Sequence, residues 1–314
     1  MARTPPKLEP HHFDMLRALN TYRLLTYDTM KRIGVARTHK ALGVTATFLS
    51  NIGLIDFRPA SLSGRTPFPN IFWLTPNGAA VLYDHEPATD AKGSDRTFGD
   101  KDEIEHRLGL VKLHIAAQEW ATAAGVRLSW VGDYDRGAKG LGKATRIEGP
   151  DFRFVPDALA WVQLPGEDDV RLLVIEFERG GYKGDLSVFF SSNESKGKLS
   201  FLKTVSEGCY IENAYAAKDS ENAYPAEDPP EKIKQPRFLI VFGSHVHNAA
   251  KEKVELHRKA LAKWPDAEAD VWDWFFVKDE DEAAAGFGDG WHQPGDRPQR
   301  SLFAKLALPG PMPT

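Results

Sequence analysis

The chain of 314 residues holds one cysteine, Cys209. A single thiol excludes internal disulfides and cysteine-rich zinc sites, and it makes a reducing, cytoplasmic setting the expectation. No stretch approaches the roughly 18 consecutive apolar residues of a membrane-spanning helix, so no membrane partner is expected. The opening MARTPPKLEPHH lacks the apolar core of a secretory signal. Internal repeats are absent. Net charge is also small: 40 Lys and Arg against 44 Asp and Glu give −4, which by itself points to no partner. At roughly 150 residues per domain, the length suggests two domains of an ordinary globular protein.

The charge is unevenly spread. Residues 1–83 carry ten Lys/Arg (3, 7, 17, 23, 31, 32, 37, 40, 58, 65) and four Asp/Glu (9, 14, 28, 56), giving 10 − 4 = +6. The remainder is then −4 − 6 = −10. A basic module joined to an acidic body is the asymmetry expected when one part meets a polyanion.

Local patterns in the basic module predict three short helices and a β-hairpin. Phe13, Leu16 and Leu19 give a short helix over 12–20. TYDTMKRI (26–33) opens with a Thr cap and an acid in its first turn. After Gly34, Leu42, Leu49 and Ile52 suit one face of a third helix. LIDFRP and NIFWLT read as strands, and TPNGAAVLY as a capped closing helix. The order, with "NIGLIDFR" and "FWLTPNGAAVL", resembles a winged helix-turn-helix over residues 1–88. In that fold the third helix enters the major groove and the wing touches the backbone. The resemblance would put Arg37, His39 and Lys40 at the start of the reading helix, and Arg58 and Arg65 on the wing. Some winged helices bind proteins instead, and that alternative stays open here.

Residues 89–101 read as a polar linker and 309–314 as a loose tail. Between them, Ile104, Leu108, Val111 and Ile115 recur at helical spacing. With that helix first, 102–308 reads α-β-β-β-α-β-α-β, a mixed sheet with flanking helices. Its second and third strands are FRFVPDALAWVQL, interrupted by Asp157, and RLLVIEFE, ending in Glu176 and Glu178. Carboxylates inside apolar strands are costly unless paired, hydrogen-bonded or bound to a cation. Glu176 and Glu178 lie two apart and so share a strand face. Pro-Asp, 18 intervening residues (176 − 157 − 1) and Glu-x-Glu together resemble the core of PD-(D/E)xK nucleases. The competing reading is a hairpin with exposed acidic ends.

The fold expectation is therefore α+β or α/β: a winged helix-turn-helix followed by a mixed-sheet, restriction-endonuclease-like domain. The combination of winged helix, linker, a helix beginning E-x-E-H-R-L, "PDA" and "EFERG" resembles the replication-relaxation family of plasmid and mobile-element proteins. That resemblance implies a DNA-binding accessory or regulator of plasmid, phage or mobile-element replication or mobilisation, acting on double-stranded DNA. Replication or relaxosome proteins, and a second copy of the chain, stay open as further partners. The alternative it implies is a metal-dependent endonuclease. Asp157 and Glu176 would then hold Mg²⁺ or Mn²⁺, and Glu178 would orient water. The usual lysine of the motif is replaced by Glu178. Lys198 or Lys196 could supply it from a following helix, with no spacing that singles one out.

Two other signals are weaker. Residues 137–144 (GAKGLGKA) nearly match a phosphate-binding loop, but Ala144 stands where a hydroxyl must reach Mg²⁺. His245 and His247 have metal-ligand spacing without an evident third ligand.

Overall fold

The computed structural model describes residues 7–59, 69–89, 91–94, 101–132, 145, 147–149, 152–168, 170–178, 212–213, 237–243, 275–293 and 299–303. Arg65, Lys196, Lys198, the 137–144 loop, His245, His247 and the helices expected after the third and fourth strands of 102–308 lie outside the described residues. The chain divides into two compact units, Met1–Lys112 and Leu113–Thr314.

The first unit runs α1 (Pro10–Tyr22), β1 (Leu25–Thr26), α2 (Tyr27–Arg32), α3 (His39–Asn51), β2 (Ile55–Arg58), β3 (Ile71–Leu74) and α4 (Pro76–His85). Each of α2, α3 and α4 starts on a threonine. The hydroxyls of Thr26, Thr38 and Thr75 accept from the amides of Thr29, Ala41 and Gly78, which would otherwise lack an intrahelical partner. The Thr75 hydroxyl also donates back to Gly53 O at 2.7 Å, tying the start of α4 to the turn after α3. Gly78 is required there, because a Cβ would sit 1.9 Å from Leu54 O.

The strands form one antiparallel sheet in the order β1-β3-β2, with Ile55 opposite Leu74 and Leu25 opposite Phe72. Met15, Leu16, Leu19, Leu25, Met30, Leu42 and Leu49 are fully buried between the helices and the sheet. The next helix, α5 (Lys101–Ala124), contributes Ile104 and Leu108 to a cluster with Leu24, Ile71 and Trp73. Residues 91–94 also belong to this unit. Lys92 N donates to Asn20 Oδ1 at 2.9 Å and Ser94 N donates to Leu74 O at 2.8 Å. Arg23 ends α1 at φ 65°, a left-handed conformation that side chains rarely adopt. Its guanidinium donates to Asn20 Oδ1 (2.9 Å) and to Lys92 O (3.2 Å).

The second unit is built on a five-stranded mixed sheet in the order β11-β10-β8-β7-β4. The strands are β4 (Arg127–Gly132), β7 (Ala158–Gln163), β8 (Val170–Glu178), β10 (Arg237–Phe242) and β11 (Phe275–Asp279). β4, β7 and β8 pair antiparallel; β8, β10 and β11 pair parallel. β7, β8, β10 and β11 are buried along nearly their whole length, as a sheet covered on both faces requires. A short helix, α6 (Glu280–Ala285), follows β11. A second sheet joins β5 (Ile147–Gly149), β6 (Phe152–Phe154) and β9 (Glu212–Asn213) in the order β6-β5-β9.

This corrects one expectation. FRFVPDALAWVQL is two strands in two sheets, with the break at Val155–Asp157. Pro156 offers no N–H to a ladder, so a continuous strand cannot pass through it. The short β1, β5 and α6 have no counterpart in the sequence reading.

The C-terminal part of α5 packs on one sheet face. His114 stacks on Trp130 with centroids 4.8 Å apart and planes 6° apart. Trp120 stacks on Phe303 at 5.5 Å. Gly125, at φ 66°, ends the helix. Burial lowers the His114 pKa from 6.5 to about 3. The sign follows directly. The unfolded chain takes up this proton near pH 6.5 and the folded chain does not until about pH 3. The neutral ring's contribution to stability is therefore complete above pH 6.5 and is lost as pH falls towards 3, at up to about 1.4 kcal/mol per pH unit. Urea denaturation at a series of pH values should show that slope. His114→Phe should flatten it whatever its offset at neutral pH; an unchanged slope would assign the acid sensitivity to other groups.

Candidate nucleic-acid interface and acidic strand ends

In the first unit, α3 buries Leu42, Thr45, Ala46 and Leu49 and turns His39, Lys40, Ala41, Val44, Thr47 and Asn51 outward. Arg37 is exposed just before the helix, and neither Arg37 nor Lys40 pairs with any described residue. His39 is engaged: its Nε2 lies 3.1 Å from Asp28 Oδ1 on α2, an ion pair whenever the ring is protonated. Arg58 lies at the end of β2, half-buried. Lys31 and Arg32 are exposed on the last turn of α2.

Other cations are spent internally. Arg17 Nε donates to Glu86 Oε1 at 2.6 Å and its NH1 to Asp14 at 2.7 Å. The Arg17 hydrogen bond holds the Glu86 carboxyl below the usual carboxylate range. Exposed positive groups thus stand at the end of α2 and at the start of α3. There they can attract a polyanion and contact its phosphates.

In the second unit, β7 and β8 pair with Ala158 opposite Ile175. The paired register ends there; Asp157 is the next residue on the β7 side and Glu176 the next on β8. Asp157 and Glu176 are thus neighbours at this end of the pairing. Pro156 has no N–H with which to continue the ladder. Beyond Ala158 the Asp157 carboxylate, rather than a β7 carbonyl, accepts the Phe177 amide: Phe177 N donates to its Oδ2 at 2.7 Å. Glu176 is 7% exposed at the centre of the sheet, between Asp157 and Ile240. Glu178 follows on the same face, half-buried. Register across β10 brings Asp279 to that face too. Asp279 is 3% exposed and caps α6, accepting from Glu282 N at 2.8 Å.

His114, Trp130 and Arg171 belong to the other face, together with residues 286–293 and 299–303 that pack there. Arg171 lies over the Phe303 ring at 5.5 Å. Lys278 is also there, 4% exposed. Its Nζ donates to Gly286 O and Asp289 O, both at 2.7 Å, and lies 5.5 Å from the Trp291 ring centre. Desolvation lowers the Lys278 pKa, against the opposing pull of Glu282, Asp279 and Asp289. Sequence reading missed this lysine. It cannot complete the acidic set, because the sheet separates them.

Mg²⁺ takes hard oxygens, one or two carboxylates plus waters and phosphates. The described donors offer Asp157 and Glu176, and one Asp157 oxygen is already committed to a backbone amide. Among the described residues no group of three or more His, Cys, Asp or Glu could hold a metal ion. Comparison of the chain with protein-family models, curated proteins and solved structures finds no match. No helix among the described residues is long and apolar enough to cross a membrane.

Asp157 thus has a structural duty that can be measured. Asp157→Ala leaves the Phe177 amide without its acceptor and should lower stability by about 1–3 kcal/mol in chemical denaturation. Asp157→Asn keeps an acceptor oxygen and should recover most of that loss. Equal loss in both variants would mean that the negative charge, not the hydrogen bond, is what the site needs.

Proposed function

We propose that the protein binds duplex DNA through the first unit, which we read as a winged helix-turn-helix. We place it among accessory or regulatory proteins of plasmid, phage or mobile-element replication or mobilisation. One observation carries this reading: the exposed, cationic start of α3 at Arg37 and Lys40, on a helix whose opposite side is fully packed. Support comes from the element order α1-β1-α2-α3-β2-β3-α4 with its β1-β3-β2 sheet, which suits a reading helix followed by a wing. The +6 charge of residues 1–83 supports it as well. Backbone contacts would fall to Arg58 and Arg65 on the wing, and to Lys31 and Arg32 on α2.

We read the second unit as a body of the PD-(D/E)xK kind, on the strength of the mixed sheet and of the Asp157–Glu176 juxtaposition across β7 and β8. The same juxtaposition favours the rival reading, a metal-dependent endonuclease using Asp157, Glu176 and Glu178. Against that rival stand the committed Asp157 oxygen and the position of Lys278 on the opposite face. The body then serves as a scaffold, or as a binding surface that has given up cleavage.

The test uses the full chain and mixed-sequence duplex. Binding should weaken steeply with salt through counterion release. Changing Arg37 and Lys40 together to Ala should lower affinity about tenfold or more at low salt and reduce the log–log salt slope by about two. Absence of binding at low salt would sink the DNA reading. With Mg²⁺ or Mn²⁺, plasmid DNA should stay intact; cleavage that Asp157→Ala abolishes would replace the accessory role by the nuclease.

A further inference from the structure

The outward stripe of α3 carries more than charge. Lys40, Val44, Thr47 and Asn51 follow at i, i+4, i+7 and i+11, and all four are exposed. Val44 is 67% exposed, the most open of the large apolar side chains among the described residues. It lies near the middle of the stripe, about 6 Å along the axis from Lys40. β-Branching gives it no advantage in a helix, and here it packs against nothing that would repay its exposure. The outer face of α3 therefore joins an uncovered isopropyl group to the open cations Arg37 and Lys40.

An apolar protein pocket would match Val44 but would have to bury or answer those charges. The major groove answers both. Phosphates meet the cations, and the C5-methyl of thymine is the apolar feature of its floor, read by small apolar side chains. We propose that Val44 is a specificity-determining residue that packs on a thymine methyl, giving the protein a preference for thymine near the centre of the stretch that α3 covers. The proposal rests on the duplex-binding role of α3. Thr47 and Asn51 lie further along the same stripe. Asn51 has the amide that can pair with both N6 and N7 of adenine, the partner base of such a thymine.

The full-length protein would first enrich duplexes from a random-sequence pool. The winning duplexes would then be made with thymidine and with deoxyuridine, which differ only by the methyl. Wild-type protein should bind the uracil duplex about fourfold more weakly for each methyl contacted, the worth of one buried methyl-sized group. Val44→Ser should bind the two duplexes equally. Its thermal unfolding should match wild type, because the side chain it replaces is exposed. Equal wild-type affinity for both duplexes would overturn the proposal and leave DNA binding standing. So would a Val44→Ser protein that keeps the full difference. A pool that yields no bound duplex at low salt would overturn the DNA reading and this proposal together.

Discussion

A single backbone amide governs the centre of the second unit. β8 runs past the last residue of β7 that pairs with it: Ala158 opposite Ile175 ends the ladder, and Pro156, two residues upstream, has no N–H to extend it. There the Asp157 carboxylate, rather than a β7 carbonyl, accepts from the Phe177 amide. That bond holds the start of β7 against the end of β8. It fixes Asp157 beside Glu176 and allows the chain to leave for the second sheet immediately upstream. β8 is also the hinge of the topology, antiparallel to β7 on one side and parallel to β10 on the other. The acids that look most like chemistry thus sit where the sheet changes its pairing. At least one of them is there to hold it.

The first unit follows a different logic. Its helices are short, and propensity alone would not sustain a six-residue α2. Threonine caps and a shared apolar interior sustain it. Packing one side of α3 completely forces the remaining side chains outward, and the internal pairs of Arg17 and Arg23 decide which cations are left at the surface. The functional surface is thus what the fold leaves over, and its charge is more localised than the count for residues 1–83 suggests.

Much of this was legible in the sequence, for identifiable reasons. The helical spacing of Ile104 to Ile115, the caps at Thr26 and Thr75, and the aliphatic runs of β8 and β10 are local signals, and the elements appear where those signals put them. β1 was not legible, since two residues carry no period; β3 makes it a strand by pairing with it. The separation of β6 from β7 depended on weighing Pro156 against a long apolar run. Lys278 was missed because a lone lysine near a strand end ordinarily faces water. Only the carbonyls of Gly286 and Asp289, brought back by the chain beyond α6, make its burial tolerable. That β7 and β8 lie side by side follows from strand order, but the amide that occupies Asp157 depends on register.

Residues 91–94 bear on how the molecule can be divided. A cut directly after α4 would strip Asn20 of its bond from Lys92 and Leu74 of its bond from Ser94. It would also remove Ile104 from against Leu24, Ile71 and Trp73. Gly93 lies so close to the Thr75 backbone that a Cβ would come within 2.3 Å of it, so this segment is fitted to its place. A fragment meant to fold alone must run past Leu108 and so carry off the first turns of α5. The stretch that reads as a tether is, in its first part, a strap buckled onto the module it follows.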